Sequence, residues 1–83
     1  MYKIEILPSA KKDLNSLENR FFTQVKNDII PLASNPRPHG CQKLTADEGY
    51  RLRAGDFRIV YRIDDQAKEV IIYRVKHRKE VYR

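Results

Sequence analysis

Residues 49–63 read GYRLRAGDFRIVYRI, and their side chains alternate in character on both sides of one Gly-Asp pair. Strand side chains point to opposite faces with a period of two. In YRLRA this sets Arg51 and Arg53 together, opposite Tyr50 and Leu52. In FRIVYRI it sets Phe57, Ile59, Tyr61 and Ile63 on one side and Arg58, Val60 and Arg62 on the other. Gly55-Asp56 suits a type II′ turn, which wants glycine first. A hairpin with one apolar face needs a cover on that face, and its other face stays wet.

The remaining elements supply the cover. YKIEIL near the start has strand period, and Pro8-Ser9 ends it. Ser9 is the expected N-cap of a helix over residues 10–17, where Ala10, Leu14 and Leu17 form an apolar stripe. A second helix is predicted over 20–34, with Phe21, Phe22, Val25, Ile29, Leu32 and Ala33 at helical spacing. Pro31 removes an amide donor and should kink it near residues 27–31. SNPRPHGCQK reads as a loop, and strands follow at about 49–54, 57–63 and 69–76. The expected order is β-α-α-β-β-β, an α+β fold. One helix hairpin would cover one face of a small, mostly antiparallel sheet.

At 83 residues and 41% hydrophobic, residues 1–83 make one domain with one core. Cys41 stands alone, so no internal disulfide is possible, which fits a reducing cytoplasm. With His39 and His77 it is too few for a usual zinc site, and neither metal nor cofactor is expected. MYKIEIL lacks the features of a secretory signal. No run approaches the roughly 18 apolar residues of a membrane span, so no membrane role is expected.

The charge narrows the partner. Lys and Arg outnumber Asp and Glu 17 to 11, a formal +6. Such an excess favours nucleic acid, a membrane surface or an acidic partner protein. One arginine on an exposed strand is ordinarily a solvated neighbour of some glutamate. Convergence is what marks a site: Arg51, Arg53 and Arg58 should gather on the uncovered face, with Arg62 and Lys76 as further RNA contacts. The last strand should deliver His77 and Arg78 beside them, with Tyr82 close behind. Guanidinium groups grip phosphate oxygens in pairs, and aromatic rings stack on bases. The pattern suits single-stranded RNA better than duplex DNA, because no basic recognition helix is visible.

YRLRAGDFRIVYRID followed by VKHRKEVY resembles the RelE toxins of type II toxin–antitoxin pairs, within the RelE/ParE superfamily. The resemblance implies a RelE-like fold and an endoribonuclease that cuts messenger RNA in the ribosomal A site. It also implies an acidic RelB-like antitoxin as partner, a monomer alone and a hetero-oligomer with that antitoxin. Carried over by motif, the site positions are Arg51, Arg53, Arg58, Arg78 and Tyr82. The best-studied members have lysines where this chain has Arg51 and Arg53.

That departure bears on chemistry. RNA is cut without metal when its 2′-hydroxyl attacks the neighbouring phosphorus, which requires a base, a charge stabiliser and an acid. Arginine stays protonated, so the base must lie elsewhere. Histidine is the side-chain type that ordinarily changes charge near neutrality, which makes His77 the candidate base, acid or both. Toxins of the YoeB kind are thought to use a C-terminal histidine, and Glu48 and Glu80 are further candidate bases. Arg58 and Arg78 would stabilise the phosphorane, and Tyr82 would stack or orient. Two rival readings stay open. One is a ParE-like inhibitor of DNA gyrase. The other is a non-enzymatic RNA- or ribosome-binding module.

Overall fold

The computed structural model describes residues 1–44, 49–77 and 79. Along the chain run β1 (Lys3–Ile6), α1 (Pro8–Asn15), α2 (Asn19–Ile29), a 3₁₀ turn (Ile30–Ala33), β2 (Gln42–Lys43), β3 (Tyr50–Ala54), β4 (Phe57–Asp64) and β5 (Glu69–His77). The strands form one sheet in the order β1-β5-β4-β3-β2, parallel only between β1 and β5. The expected α+β layout is therefore present. Among the described residues no helix is long and apolar enough to cross a membrane.

The apolar alternation of the hairpin finds its cover as the sequence reading requires. Leu52, Ile59 and Val75 are register partners across three strands, so they share a face. Ile59, Tyr61, Val70 and Ile72 are wholly buried there, against Ala10 and Leu14 of α1, Val25 and Ile29 of α2, and Leu32 of the 3₁₀ turn. Each such aliphatic side chain is worth about 1.5–3 kcal/mol when fully buried. Gly55 takes φ +62° at the hairpin turn, and a methyl group there would run into the Gln24 side chain of α2. Asp56 stays at negative φ, the sign pattern of the expected type II′ turn.

Three local expectations are corrected. α1 begins at Pro8, with Leu7 in the N-cap position and no side-chain cap. Proline fits a first helical turn, where its missing N–H would have had no partner. Ser9, freed from capping, instead donates its hydroxyl to the Tyr73 carbonyl at 2.7 Å. The second helix does not continue through Pro31: α2 ends at Ile29, and Pro31 sits in the first turn of the 3₁₀ segment. The loop carries a short extra strand, β2, whose Gln42 and Lys43 pair with Arg51 and Tyr50. Two residues are too few to show an alternation.

One irregularity decides what β5 presents. Val60 pairs with Arg74 but Tyr61 pairs with Ile72, which leaves Tyr73 unmatched. This bulge inverts the alternation: Val70 and Ile72 are buried before it, Val75 after it. Beyond the end of β1, α1 takes over the bare edge of β5. The Asp13 carboxylate accepts the Val75 amide at 2.9 Å and the Arg74 guanidinium at 2.8 and 3.2 Å. Side chains of a helix thus stand in for the missing strand.

Candidate functional site

On the face away from the helices, register partners line up the basic residues. Arg53 pairs with Arg58 and Arg58 with Lys76, so three cations form one row across β3, β4 and β5. The next row runs Gln42, Arg51, Val60, Arg74. Between the rows lies an open hollow of about 270 Å³, lined by Gly40, Gln42, Arg51, Arg53 and Arg58. Arg51 donates to Gln42 Oε1 at 2.7 Å and Arg53 to the Gly55 carbonyl at 3.2 Å. Both acceptors are neutral. Arg58 is only 7% exposed, and its Nη1 donates to the Phe57 carbonyl at 3.3 Å. The carboxylate ion pairs among the described residues involve Arg20, Arg37 and Arg74, not Arg51 or Arg53. Like charges brought together around one hollow repel, and a bound anion relieves that repulsion.

The rim is fastened from behind. Buried Tyr61 donates its hydroxyl to the Pro36 carbonyl at 2.7 Å, and burial pushes that phenol up, so it remains a donor. Arg37 donates to Asp65 Oδ2 at 2.9 Å and to the Tyr50 hydroxyl at 3.1 Å. Its guanidinium lies 5.4 Å from the centroid of the Tyr50 ring. Hydrogen bonds from Arg37 and Tyr2 hold the Asp65 carboxyl down at about 2. The loop so pinned carries Gly40 at φ +94°, a left-handed conformation that glycine takes without strain, straight into the hollow's lining.

The sequence-predicted residues fare differently. Arg51, Arg53 and Arg58 converge as expected, and Lys76 joins them in the row of Arg58. Arg62 shares the face but leaves the hollow, its guanidinium lying 5.5 Å from the centroid of the Tyr73 ring. His77 does not stand beside the arginines. It pairs with Phe57 and shares the helix side, with ring centroids 5.4 Å apart and planes at 88°. The bulge at Tyr73 is the cause: unbroken alternation from Ile72 would have turned His77 to the open face and Lys76 away. His77 Nδ1 also accepts the Lys79 amide at 3.3 Å. Arg78 and Tyr82, and the alternative bases Glu48 and Glu80, lie outside the described residues. Gln42 and Gly40 of the lining leave no signal in the sequence, because a two-residue strand and a loop glycine carry no period.

Comparison with known proteins returns type II toxins throughout, the family model carrying the ParE name and the sequence and structure relatives the RelE and RelG names. Residues 4–82 match the family model described as the ParE toxin of the type II toxin–antitoxin system parDE. The chain is 32% identical over 84 residues to Toxin RelG of Mycobacterium tuberculosis, covering 99% of this chain and 97% of that protein. It is similar in structure to the toxin–antitoxin complex RelBE2 from Mycobacterium tuberculosis, with a TM-score of 0.83 at 29% identity, over 92% of this chain and 96% of that one. The archaeal RelE–RelB complex from Pyrococcus horikoshii matches at a TM-score of 0.82 and 26% identity, over 93% of this chain and 94% of that one.

Proposed function

The chain belongs to the RelE family of type II toxins, within the wider superfamily that includes ParE, and from that premise we propose that it is a ribosome-dependent endoribonuclease cutting messenger RNA in the A site. One observation carries this reading. Arg51, Arg53 and Arg58 line an open hollow of about 270 Å³, and the first two hold only neutral acceptors there. That is a receptor for a phosphodiester.

In the proposed reaction the 2′ oxygen attacks phosphorus and its proton passes to water. The bond to the 5′ oxygen breaks, leaving a cyclic phosphate. Arg51 and Arg53 grip the backbone, and Arg58, with Arg78, neutralises the phosphorane. Tyr82 stacks on a base or orients the phosphate. Lys76, beside Arg58, donates a proton to the departing 5′ oxygen. His77 supports the strand end through Phe57 rather than meeting the RNA. Since the hollow supplies charge but few proton-transfer groups, the ribosome must hold the messenger bent for attack.

The two placements make opposite kinetic demands. Lys76→Ala is expected to slow cleavage on programmed ribosomes by roughly 10²-fold. His77→Ala should stay within a few-fold of the parent. A dead His77→Ala with an unimpaired Lys76→Ala would return the proton transfer to the imidazole.

The similar structures of RelE with RelB support a partner antitoxin. An acidic, amphipathic segment would wrap this basic domain in the cytoplasm and form a hetero-oligomer with an otherwise monomeric toxin. Primer extension on programmed ribosomes tests the activity directly. The expected result is cleavage confined to A-site codons, with free messenger cut feebly. Uncut messenger together with inhibited gyrase supercoiling would assign the chain to the ParE activity instead. Ribosome binding without cleavage would leave a non-enzymatic module.

A further inference from the structure

Beyond the arginine hollow the same face carries a second depression, of about 230 Å³, lined by Leu44, Gly49, Val60, Arg62 and Tyr73. Its chemistry differs. Leu44 and Val60 supply apolar surface, Tyr73 supplies a half-buried ring, and the Arg62 guanidinium lies 5.5 Å from that ring's centroid. Val60 is the register partner of Arg51, which lines the first hollow, so the two depressions adjoin. Tyr73 is also the bulged residue of β5, and bulges commonly re-aim side chains next to functional sites. Its carbonyl is held by Ser9 Oγ at 2.7 Å, which fixes the backbone beneath the ring.

A slot with apolar walls, an aromatic ring and a cation at its lip suits a flat group with a π face and polar edges. Next to a phosphate receptor, that group is a nucleobase. Resting on the ribonuclease reading, we infer that this slot binds a base of the same RNA strand, stacked on Tyr73, beside the nucleotide whose phosphate Arg58 holds. From Arg58 to Arg62 the strand advances about 13 Å at roughly 3.3 Å per residue. The two depressions therefore serve different nucleotides, and Tyr73 contributes to sequence preference rather than to bond cleavage.

The test uses short single-stranded RNAs, intact or with one abasic position moved along the strand, titrated against parent, Tyr73→Phe and Tyr73→Leu. The parent should lose roughly 10- to 100-fold in affinity when the abasic position meets the slot. Tyr73→Phe should behave likewise. Tyr73→Leu should bind intact and abasic strands equally, with unchanged circular dichroism. If Tyr73→Leu unfolds, Val60→Phe, which fills the slot, should give the same loss of discrimination. A Tyr73→Leu protein that keeps the parent's discrimination overturns the inference. So does one whose only defect is weaker binding of an acidic antitoxin peptide. Programmed ribosomes separate this inference from its premise: uncut messenger despite base discrimination sinks the nuclease reading alone, whereas cleavage without discrimination sinks the slot alone.

Discussion

On the proposed ribonuclease reading, Arg58→Ala is expected to lower cleavage of messenger on programmed ribosomes by roughly 10²–10³-fold, the scale of losing one preorganised charge donor. The loss should fall on kcat, because on that reading Arg51 and Arg53 would still grip the backbone in the ground state. Arg58 has the central place in its row, between Arg53 and Lys76. It is 7% exposed, so its stem is packed, and its guanidinium is steadied by the Phe57 carbonyl. A charge held in that way needs little reorganisation when the phosphorane forms, and partial exclusion of water strengthens it. Arg53, by contrast, is exposed, so Arg53→Ala should mainly raise KM. Arg58→Lys restores the charge without the planar fork and should recover only part of the rate. Truncating the stem costs some packing, which a thermal midpoint within several degrees of the parent would show to be tolerable. An Arg58→Ala protein that cuts at the parental rate would remove the hollow from the chemistry.

The same hairpin shows what a sequence can disclose. Phe57, Ile59 and Tyr61 announce their buried face by period two, and Gly55-Asp56 announces the turn. From those residues alone Arg51, Arg53 and Arg58 fall on one open face. What period two does not disclose is its own interruption. The bulge at Tyr73 follows from tertiary geometry: β1 stops at Ile6, and α1 must reach the bare edge of β5 with Ser9 and Asp13. No local propensity at Tyr73 or Arg74 signals this. Its consequence is large, because it exchanges Lys76 for His77 on the open face. Ser9 is a case of rival chemistry: its hydroxyl would cap a helix as well as it holds a strand, and only the packing of α1 on β5 decides.

Asp13→Ala is the variant expected to destabilise the fold most through a single polar contact, by roughly 2–3 kcal/mol. Most of that loss comes from the Val75 amide, which would lose its 2.9 Å acceptor at a half-covered edge. The contact to Arg74 adds little, because that side chain is 44% exposed and solvent screens the pair. For a domain of 83 residues this is a large share of a total of roughly 4–12 kcal/mol, and the thermal midpoint should fall by roughly 10–20 °C. Asp13→Asn keeps an oxygen for Val75 and should lose about half as much. The pH dependence follows from the carboxyl itself. Burial alone would raise its pKa, but the hydrogen bonds from Arg74 and Val75 and the charges of Arg74 and Lys76 together hold it below its ordinary 3.8. A depressed folded-state pKa means that the stabilisation is complete above the unfolded value and is lost as pH falls below that value and through the folded one. The stability gap between parent and Asp13→Ala should therefore be constant from pH 7 to about 5 and narrow below about 4. Denaturant titrations at pH 6 and pH 3 measure it. A gap of the same size at both would mean that the Asp13 charge adds nothing and that the carboxyl holds β5 by hydrogen bonds that survive its protonation.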